Sequence, residues 1–116
     1  MTQYVFHITT HTAWSAGKKS GEYRADSLEQ AGFIHCCKAA QILRVANNYY
    51  AGQQGLRILM LDPNELKAKM CWEPGSDKAD ELFPHIYGPV NLEAVVGVFD
   101  FESDPDGKFS LPAGLK

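Results

Sequence analysis

The chain lacks any hydrophobic run long enough to cross a lipid bilayer, which takes about 20 consecutive apolar residues. Residues 1–10 also lack the basic segment and the apolar core of a secretory signal peptide. These two absences argue against a membrane protein and against secretion. We therefore expect a cytoplasmic location and no membrane partner.

Cysteine is scarce, with 3 residues among 116. An odd number cannot all pair within one chain, and the neighbours Cys36 and Cys37 have side chains that diverge. In the cytoplasmic setting expected here, thiols stay reduced. The cysteine count therefore predicts a fold without a disulfide framework.

Positive charge is also limited, because 11 Lys and Arg residues stand against 14 Asp and Glu residues, for a formal net charge of -3. The lysines are scattered among acidic residues and form no basic stripe. Duplex nucleic acid binds through several converging cations that replace released counterions, so we expect no duplex partner. A single nucleotide needs only one or two such contacts and is compatible with this composition.

The residues that are present suit a globular protein, with 45% hydrophobic and 22% charged residues. A chain of this length supports one core, so residues 1–116 are predicted to form a single domain. Residues 103–116 are interpreted as a tail that either hangs free or docks through Phe109 and Leu111. Irregularly mixed strand and helix patterns predict an α+β fold, with a small mixed sheet packed against short helices.

The local patterns place the individual elements along the chain. Apolar and β-branched runs predict strands at 4–9, 33–36, 56–61, 70–73 and 94–101. Helical spacing of apolar residues from Ala39 to Tyr50 predicts a helix that stops at Gly52. Short helices are predicted after Thr10 or Thr12, ended by Gly17 and Gly21, from a capping box of Ser27 and Gln30 to Gly32, and after Asp62.

Histidine is the residue type that points to a site. His7 falls on the first predicted strand, His35 on the second, and His85 within the segment Phe83-Pro84-His85-Ile86-Tyr87-Gly88-Pro89. A buried imidazole must find hydrogen-bond partners, so several of them in a small domain cost stability unless they share a site. We predict that His7, His35 and His85 meet in one pocket.

The segment 83–89 carries a second polar group, Tyr87, two residues after His85. Side chains two residues apart in extended backbone point to the same side, so Tyr87 is predicted to line the same pocket. The alternative is a rigid turn in which His85 and Tyr87 cap neighbouring backbone groups.

Other interpretations of these residues stay open. His7 and His35 can be core histidines with satisfied hydrogen bonds. Three histidines can also form a zinc site, but their spacing matches no zinc motif and no carboxylate lies beside them in sequence, so we assign no metal ligand. Cys36 or Cys37 is either a nucleophile with a lowered pKa or small apolar filler. Four aromatic residues either stack on a base or nicotinamide or pack in the core: Trp14, Tyr23, Tyr49 and Tyr50.

The assembled motifs resemble a bacterial family of small proteins known as domain of unknown function 952. The resemblance rests mainly on Gly32-Phe33-Ile34-His35-Cys36 and on the segment 83–89. It extends along most of the chain through Tyr4, His7-Ile8, Trp14, Ala16, Tyr23, Ser27-Leu28, Gln41, Tyr50, Leu59 to Asp62 and Glu73. The chain departs from the family at Cys37, where Ser is usual.

The same pattern is remotely similar to the ADP-ribosyltransferase superfamily, which includes the RNA 2'-phosphotransferases. In that superfamily a strand with His-Gly-Thr holds the nicotinamide-side ribose of NAD, and a second strand ends in His-Leu-Ser. His7-Ile8-Thr9 and His35-Cys36-Cys37 stand in these places, with Ile8 replacing the usual Gly. The superfamily's catalytic Glu has no identified counterpart, since Glu73 lacks its motif. The resemblance implies a split-sheet core and NAD as a substrate.

The leading hypothesis is a pocket that binds NAD or another nucleotide-like small molecule. If it is an enzyme, it is a transferase of ADP-ribosyl or phosphoryl type that holds no resident cofactor. Imidazoles can move protons near neutral pH, so His35 and His85 are the predicted catalytic residues. The predicted ligand-binding residues are His7, Thr9, Trp14 and Tyr87. The rival is a non-catalytic binding or interaction module with structural histidines.

Overall fold

A computed structural model describes residues 2–75 and 79–115. Within these residues the chain forms strands, α-helices and short 3-10 turns. In chain order, the named elements are β1 (Val5–Thr10), α1 (His11–Ser20), β2 (Glu22–Tyr23), α2 (Asp26–Ala31), β3 (Ile34–His35), α3 (Ile42–Tyr49), β4 (Leu56–Leu61), β5 (Met70–Pro74), β6 (Leu82–Ile86), β7 (Val90–Asn91) and β8 (Val95–Phe101). The 3-10 turns are Ala39–Gln41, Pro63–Glu65, Leu92–Ala94 and Ala113–Leu115.

The strands form three sheets, in the orders β1-β4-β8, β2-β7 and β3-β6-β5. Every strand pairing in the described part of the chain is antiparallel. The α+β class is therefore confirmed, but the expected mixed sheet is wrong. A parallel pair needs a crossover that returns to the same sheet. Here α1, α2 and α3 each connect strands of different sheets.

Among the described residues, an isolated backbone bridge joins the two three-stranded sheets, where β1 lies beside the end of β3. Phe6 N–H donates to Cys37 O and Cys37 N–H donates to Phe6 O, both at 2.8 Å. Continuing this antiparallel register would pair Ile8 with His35, but the bridge at Phe6 and Cys37 is isolated. The strands diverge beyond it, which leaves a gap between the two sheets.

Pro84 explains why β3 is only two residues long. Pro84 lies on β6, the central strand of its sheet, and its C=O accepts a hydrogen bond from Cys36 N–H at 3.1 Å. The return bond to Cys36 C=O cannot form because proline has no N–H. The β3–β6 ladder therefore ends at His35, and Cys37 turns to β1 instead.

Helix α1 begins and ends with clear capping groups. The Thr10 side chain accepts from Ala13 N–H at 3.0 Å, and Gly21 closes the helix with φ 96°. Gly17 lies inside the helix, so the expected stop there is wrong. A Cβ on Gly17 would lie 3.0 Å from Tyr23 Cα. The missing side chain therefore lets β2 approach α1 closely.

Helix α2 starts at Asp26 after Ala25, which makes no side-chain cap. The capping box predicted at Ser27 and Gln30 is therefore wrong, because Ser27 already lies in the first turn. Asp26 and Glu29 supply negative charge near the helix N-terminus, where it is favourable. The predicted stop at Gly32 is confirmed, with φ 87°.

The long helix predicted from Ala39 is divided into the 3-10 turn Ala39–Gln41 and α3. The Gln41 side chain accepts from Lys38 N–H at 2.8 Å and so caps the start of this turn. The helix predicted after Asp62 is only the 3-10 turn Pro63–Glu65, although Asp62 does accept from Asn64 N–H at 2.9 Å.

The β1-β4-β8 sheet is covered on both faces. One face packs on a cluster that includes Trp14, Tyr23, Ile34 and Ile86, and the other on α3 and the C-terminal segment. In that segment Phe109 is 5% exposed and stacks on Phe101 with ring centroids 4.6 Å apart. Its N–H donates to Asn47 Oδ1 at 2.9 Å, so the C-terminal segment docks through Phe109.

The acidic composition of residues 74–81 predicts a loop, and this segment connects β5 to β6. Residues 76–78 of that loop lie outside the described residues. Gly75 N–H donates to Glu81 O at 3.0 Å, which closes the connection. Among the described helices, none has the length and apolar character needed to cross a membrane.

Candidate functional site

A cavity of about 610 Å³ opens at the gap between β1 and β3. Small-molecule sites are clefts of about 300–1,000 Å³ lined by apolar and aromatic side chains with a few polar groups. This cavity fits that description, with walls formed by Phe33, Phe83, Tyr49 and Tyr50. We call it the sheet-gap cavity.

The sheet-gap cavity brings together four of the six residues predicted for the site. His7, Thr9, His35 and His85 all line it. They come from three strands that are distant in sequence, β1, β3 and β6. The fold therefore brings the three histidines to one cavity.

His7 is anchored at both ring nitrogens. Its Nδ1 lies 2.6 Å from the backbone oxygen of His35, and its Nε2 lies 2.7 Å from the Tyr23 hydroxyl. A carbonyl oxygen can only accept, so Nδ1 carries the hydrogen. This bond takes the His35 C=O that Ile8 N–H would have bound in a continued ladder. The His7 side chain therefore links β1 to β3 across the gap.

Burial keeps His7 neutral in the folded protein. The side chain is 6% exposed, and loss of solvation lowers its pKa to about 4. Tyr23 hydroxyl also lies 2.6 Å from Thr9 Oγ1. With His7 neutral, its Nε2 accepts from Tyr23 when the Thr9 hydroxyl donates to Tyr23 in turn. The chain Thr9, Tyr23 and His7 thus forms an uncharged polar floor for the cavity.

Backbone groups of Ile8 and His35 also face the gap. In an antiparallel pair, residues alternate the edge toward which their N–H and C=O point. Phe6 directs both groups away from β4 to Cys37, so Ile8 directs its own groups toward the gap as well. Within residues 2–75 and 79–115, Ile8 N–H, Ile8 C=O and His35 N–H have no backbone partner.

His35 and His85 are the imidazoles that stay open to the cavity. They are directly opposite each other on β3 and β6, and their ring centroids are 5.6 Å apart. Burial lowers the pKa of His35, and repulsion by His85 adds to this effect. Phe33 stacks on the His85 ring with centroids 4.1 Å apart and 20° between the planes. The two rings are therefore held beside each other on one wall.

His85 is held by a carboxylate from the neighbouring strand. Its Nδ1 lies 2.8 Å from Glu73 Oε1, and the Tyr87 hydroxyl donates to the same oxygen at 2.5 Å. The hydrogen bonds from Tyr87 and His85 lower the pKa of the Glu73 carboxyl. Tyr87 does not line the cavity. It contacts the site through Glu73 instead of facing the space where a ligand would lie.

Trp14 also lies away from the sheet-gap cavity. It is 8% exposed in the core cluster beside Tyr23, with ring centroids 6.3 Å apart. The indole therefore packs beside Tyr23, the central residue of the polar floor. This position fits the packing interpretation better than stacking on a ligand.

Cys36 and Cys37 lack the lowered pKa that a thiol nucleophile needs. Cys36 and Cys37 are both buried, and burial raises the pKa of Cys36 well above its usual value and that of Cys37 to about 12. The thiolate is the reactive form, so both thiols are inert at neutral pH. They fill space in the two core clusters, as the apolar interpretation predicted.

The lining is nearly free of full charges. Among its described residues Asp26 is an acid and there is no Lys or Arg. No group of three or more His, Cys, Asp and Glu side chains in the described ranges is arranged to hold a metal ion. The described lining therefore consists mainly of hydrogen-bonding groups and aromatic walls.

Three site residues were not predicted as such from the sequence. Tyr23, Phe33 and Glu73 act through their contacts with His7 and His85. A usable signal existed for Glu73, because alternation on β5 and β6 places it on the same face as His85 once the register is known. The register itself depends on strand pairing that local patterns do not reveal.

The fold and the site define a small α+β protein with a histidine-lined cleft between two antiparallel sheets. A model of the family described as "Protein of unknown function (DUF952)" matches residues 8–98. This match spans most of the chain, so the chain belongs to the DUF952 family and the resemblance drawn from its motifs is confirmed.

Solved structures share this fold. The crystal structure of protein CC0527 from Caulobacter crescentus is 27% identical, with a TM-score of 0.85 and 97% coverage of each chain. The solution NMR structure of the same protein is 28% identical, with a TM-score of 0.74, and covers 91% of this chain and 90% of that one. No curated protein matches the chain.

Proposed function

We propose that the sheet-gap cavity binds the heterocyclic and ribosyl end of a nucleotide-like molecule, with NAD as the first ligand to test. The observation that carries this proposal is the gap itself. The His35 and His85 imidazoles line a cavity of about 610 Å³ there. Backbone groups of Ile8 and His35 that have no backbone partner in the described part of the chain face the same gap. Such a mixture of apolar walls and a few fixed polar groups is typical of ligand sites.

The polar groups suit an uncharged amide or base edge. Ile8 offers an N–H and a C=O side by side, which complement the C=O and NH2 of a carboxamide or the edge of a nucleobase. His7 is neutral at physiological pH and offers no charge to a phosphate. Since no Lys or Arg appears among the described lining residues, phosphate groups would lie toward the mouth of the cavity.

The chemistry proposed is a group transfer of ADP-ribosyl or phosphoryl type, catalysed by His35 and His85. In ADP-ribosyl transfer, an acceptor oxygen forms a bond to the ribose C1' as the bond from C1' to the nicotinamide nitrogen breaks. One imidazole takes the acceptor proton as general base. No protein nucleophile is required, which agrees with the raised pKa of both buried thiols.

A second support is the remote similarity to the ADP-ribosyltransferase superfamily drawn from the motifs at 7–9 and 35–37. That superfamily has a split sheet, and two three-stranded sheets meet here at the Phe6–Cys37 bridge. Ile8 replaces the usual Gly at this edge, yet it presents its backbone to the gap as a strand residue of any type does.

The test is a titration with NAD, ADP-ribose and nicotinamide, followed by calorimetry and by the melting temperature. A ligand at 100 times its Kd stabilises the folded state by about 2.7 kcal/mol. Binding is expected to be lost in His35→Ala and His85→Ala and kept in His11→Ala, which removes an exposed imidazole of α1. No heat and no shift in melting temperature with any of these compounds would reject the proposal.

The rival, a non-catalytic module with structural histidines, is favoured by one observation. His7 has both ring nitrogens occupied and lies in the interior, so its role is structural. His35 and His85 differ from it because, in the described ranges, neither has both ring nitrogens hydrogen-bonded, and both line the cavity. Ligand binding without turnover of NAD would favour this rival.

A further inference from the structure

We propose that Glu73 is a positioning residue that fixes the tautomer of His85, so that Nε2 is the basic atom presented to the sheet-gap cavity. This inference deepens the proposed function and rests on it for its catalytic meaning. The geometry on which it stands is independent of any ligand.

Strand register places the two side chains on one face. Cys71 lies opposite His85 and Glu73 lies opposite Phe83 in the β5–β6 pair, so Glu73 is the diagonal neighbour of His85. The Glu73 side chain is about one-third exposed, whereas that of His85 is almost fully buried. His85 lines the cavity, and Glu73 is not among the described lining residues.

The carboxylate determines which ring nitrogen carries the hydrogen. Ionised Glu73 can only accept, and it lies 2.8 Å from His85 Nδ1, so Nδ1 holds the hydrogen. The neutral ring then has its lone pair on Nε2. Nε2 has no hydrogen-bond partner among the described residues. None of these residues has a side-chain nitrogen or oxygen that is both fully buried and without a partner, so Nε2 is not fully buried. Nε2 is therefore accessible in the cavity that His85 lines.

Two neighbouring rings restrict the remaining freedom of this pair. The Tyr87 hydroxyl donates to Glu73 Oε1, the same oxygen that His85 contacts, and so fixes the carboxylate. Phe33 stacks on the face of His85 and also contacts Tyr87, with centroids 5.4 Å apart. Phe33 sets the plane of the imidazole, Glu73 sets its rotation, and Tyr87 holds Glu73.

This arrangement gives a role to Glu73, which the proposed reaction does not use directly. A general base must present an unprotonated nitrogen toward the acceptor hydroxyl, and a ring with its hydrogen on the wrong nitrogen cannot accept that proton. Glu73 selects the useful tautomer without touching the substrate. Tyr87, predicted to bind ligand, acquires a positioning role through the same carboxylate.

The test is long-range proton–nitrogen NMR of the histidine rings in the full chain at a pH where His85 is neutral. The wild-type protein should show the hydrogen of His85 on Nδ1. In Glu73→Gln the new side-chain amide can donate to Nδ1, so the hydrogen should move to Nε2. Glu73→Asp should retain part of the wild-type signal, and the exposed control Glu102→Gln all of it.

Glu73→Ala provides a second variant if Glu73→Gln fails to fold, because it removes the acceptor at Nδ1 altogether. It should give a mixture of the two His85 tautomers, whereas Tyr87→Phe leaves the carboxylate and should keep the hydrogen on Nδ1. A wild-type hydrogen on Nε2, or an unchanged Nδ1 signal in Glu73→Gln and Glu73→Ala alike, would overturn the inference.

Activity measurements separate this inference from the proposed function. If NAD is turned over, Glu73→Gln should lower kcat by about 100-fold and leave KM nearly unchanged, as expected for loss of general-base catalysis. If the tautomer changes as expected but no ligand binds, the positioning role stands and the proposed function fails. Equal effects of Glu73→Gln and Glu102→Gln on kcat would show that Glu73 has no role in catalysis.

Discussion

The buried imidazole of His7 makes the stability of the fold depend on pH in a defined window. Its pKa falls from 6.5 in the unfolded chain to about 4 in the folded protein. Between these values the unfolded state binds a proton that the folded state does not. Stability is therefore complete above pH 6.5 and is lost progressively as the pH falls to 4.

The size of this effect follows from the shift. A difference of about 2.5 pKa units at 1.36 kcal/mol per unit amounts to about 3 kcal/mol. Because unfolding binds at most one proton at this ring, its contribution to the free energy of unfolding falls by at most about 1.4 kcal/mol for each pH unit. His35, whose pKa is also lowered, adds to the loss in the same direction.

The perturbation that isolates His7 is His7→Gln, because a Gln amide can still donate to His35 O and accept from Tyr23. Urea unfolding at pH 7 and at pH 4 gives the free energy of unfolding of each protein. The decrease between these two pH values should be about 3 kcal/mol smaller in His7→Gln than in wild type. His11→Gln, which removes an exposed imidazole, is the matched control. An equal decrease in wild type and His7→Gln would refute this account of His7.

Three further predictions test the surroundings of the site. Tyr23→Phe leaves His7 Nε2 buried without its donor and should cost about 2 kcal/mol in chemical unfolding, whereas Tyr4→Phe at the surface should cost almost nothing; equal costs would count against the polar floor. Phe109→Ala empties a buried ring site and should cost about 3 kcal/mol, and a negligible loss would mean that the C-terminal segment is not part of the core. Iodoacetamide followed by peptide mass mapping should modify the partly exposed Cys71 in the native protein but leave Cys36 unmodified until urea is added, and rapid native labelling of Cys36 would contradict its burial.

Local patterns in the sequence predicted much of the fold. The strand predicted at 56–61 matches β4, because its apolar run is bounded by turn residues on both sides. The left-handed stop at Gly32 was predicted from the same kind of signal. Strand β6 was harder to recognise, since Pro84 argues against a central strand. It is tolerated there only because the β3 ladder ends beside it.

The sequence likewise predicted some residues of the candidate site and missed others. The cost of burying several imidazoles predicted that His7, His35 and His85 would share a location, and the fold places them together. Their partners Tyr23 and Glu73 could not be assigned, because each contact depends on strand register between distant segments. The split into three antiparallel sheets was missed for the same reason.

The most direct test of the central claim is a titration of the isotope-labelled protein with NAD, followed by backbone amide and imidazole NMR signals. If the gap between β1 and β3 is the binding site, the largest changes will occur at the Ile8 and His35 amides and at the His85 ring. Saturating NAD that leaves these signals unchanged, or that shifts only signals on other faces such as His11, would contradict the account.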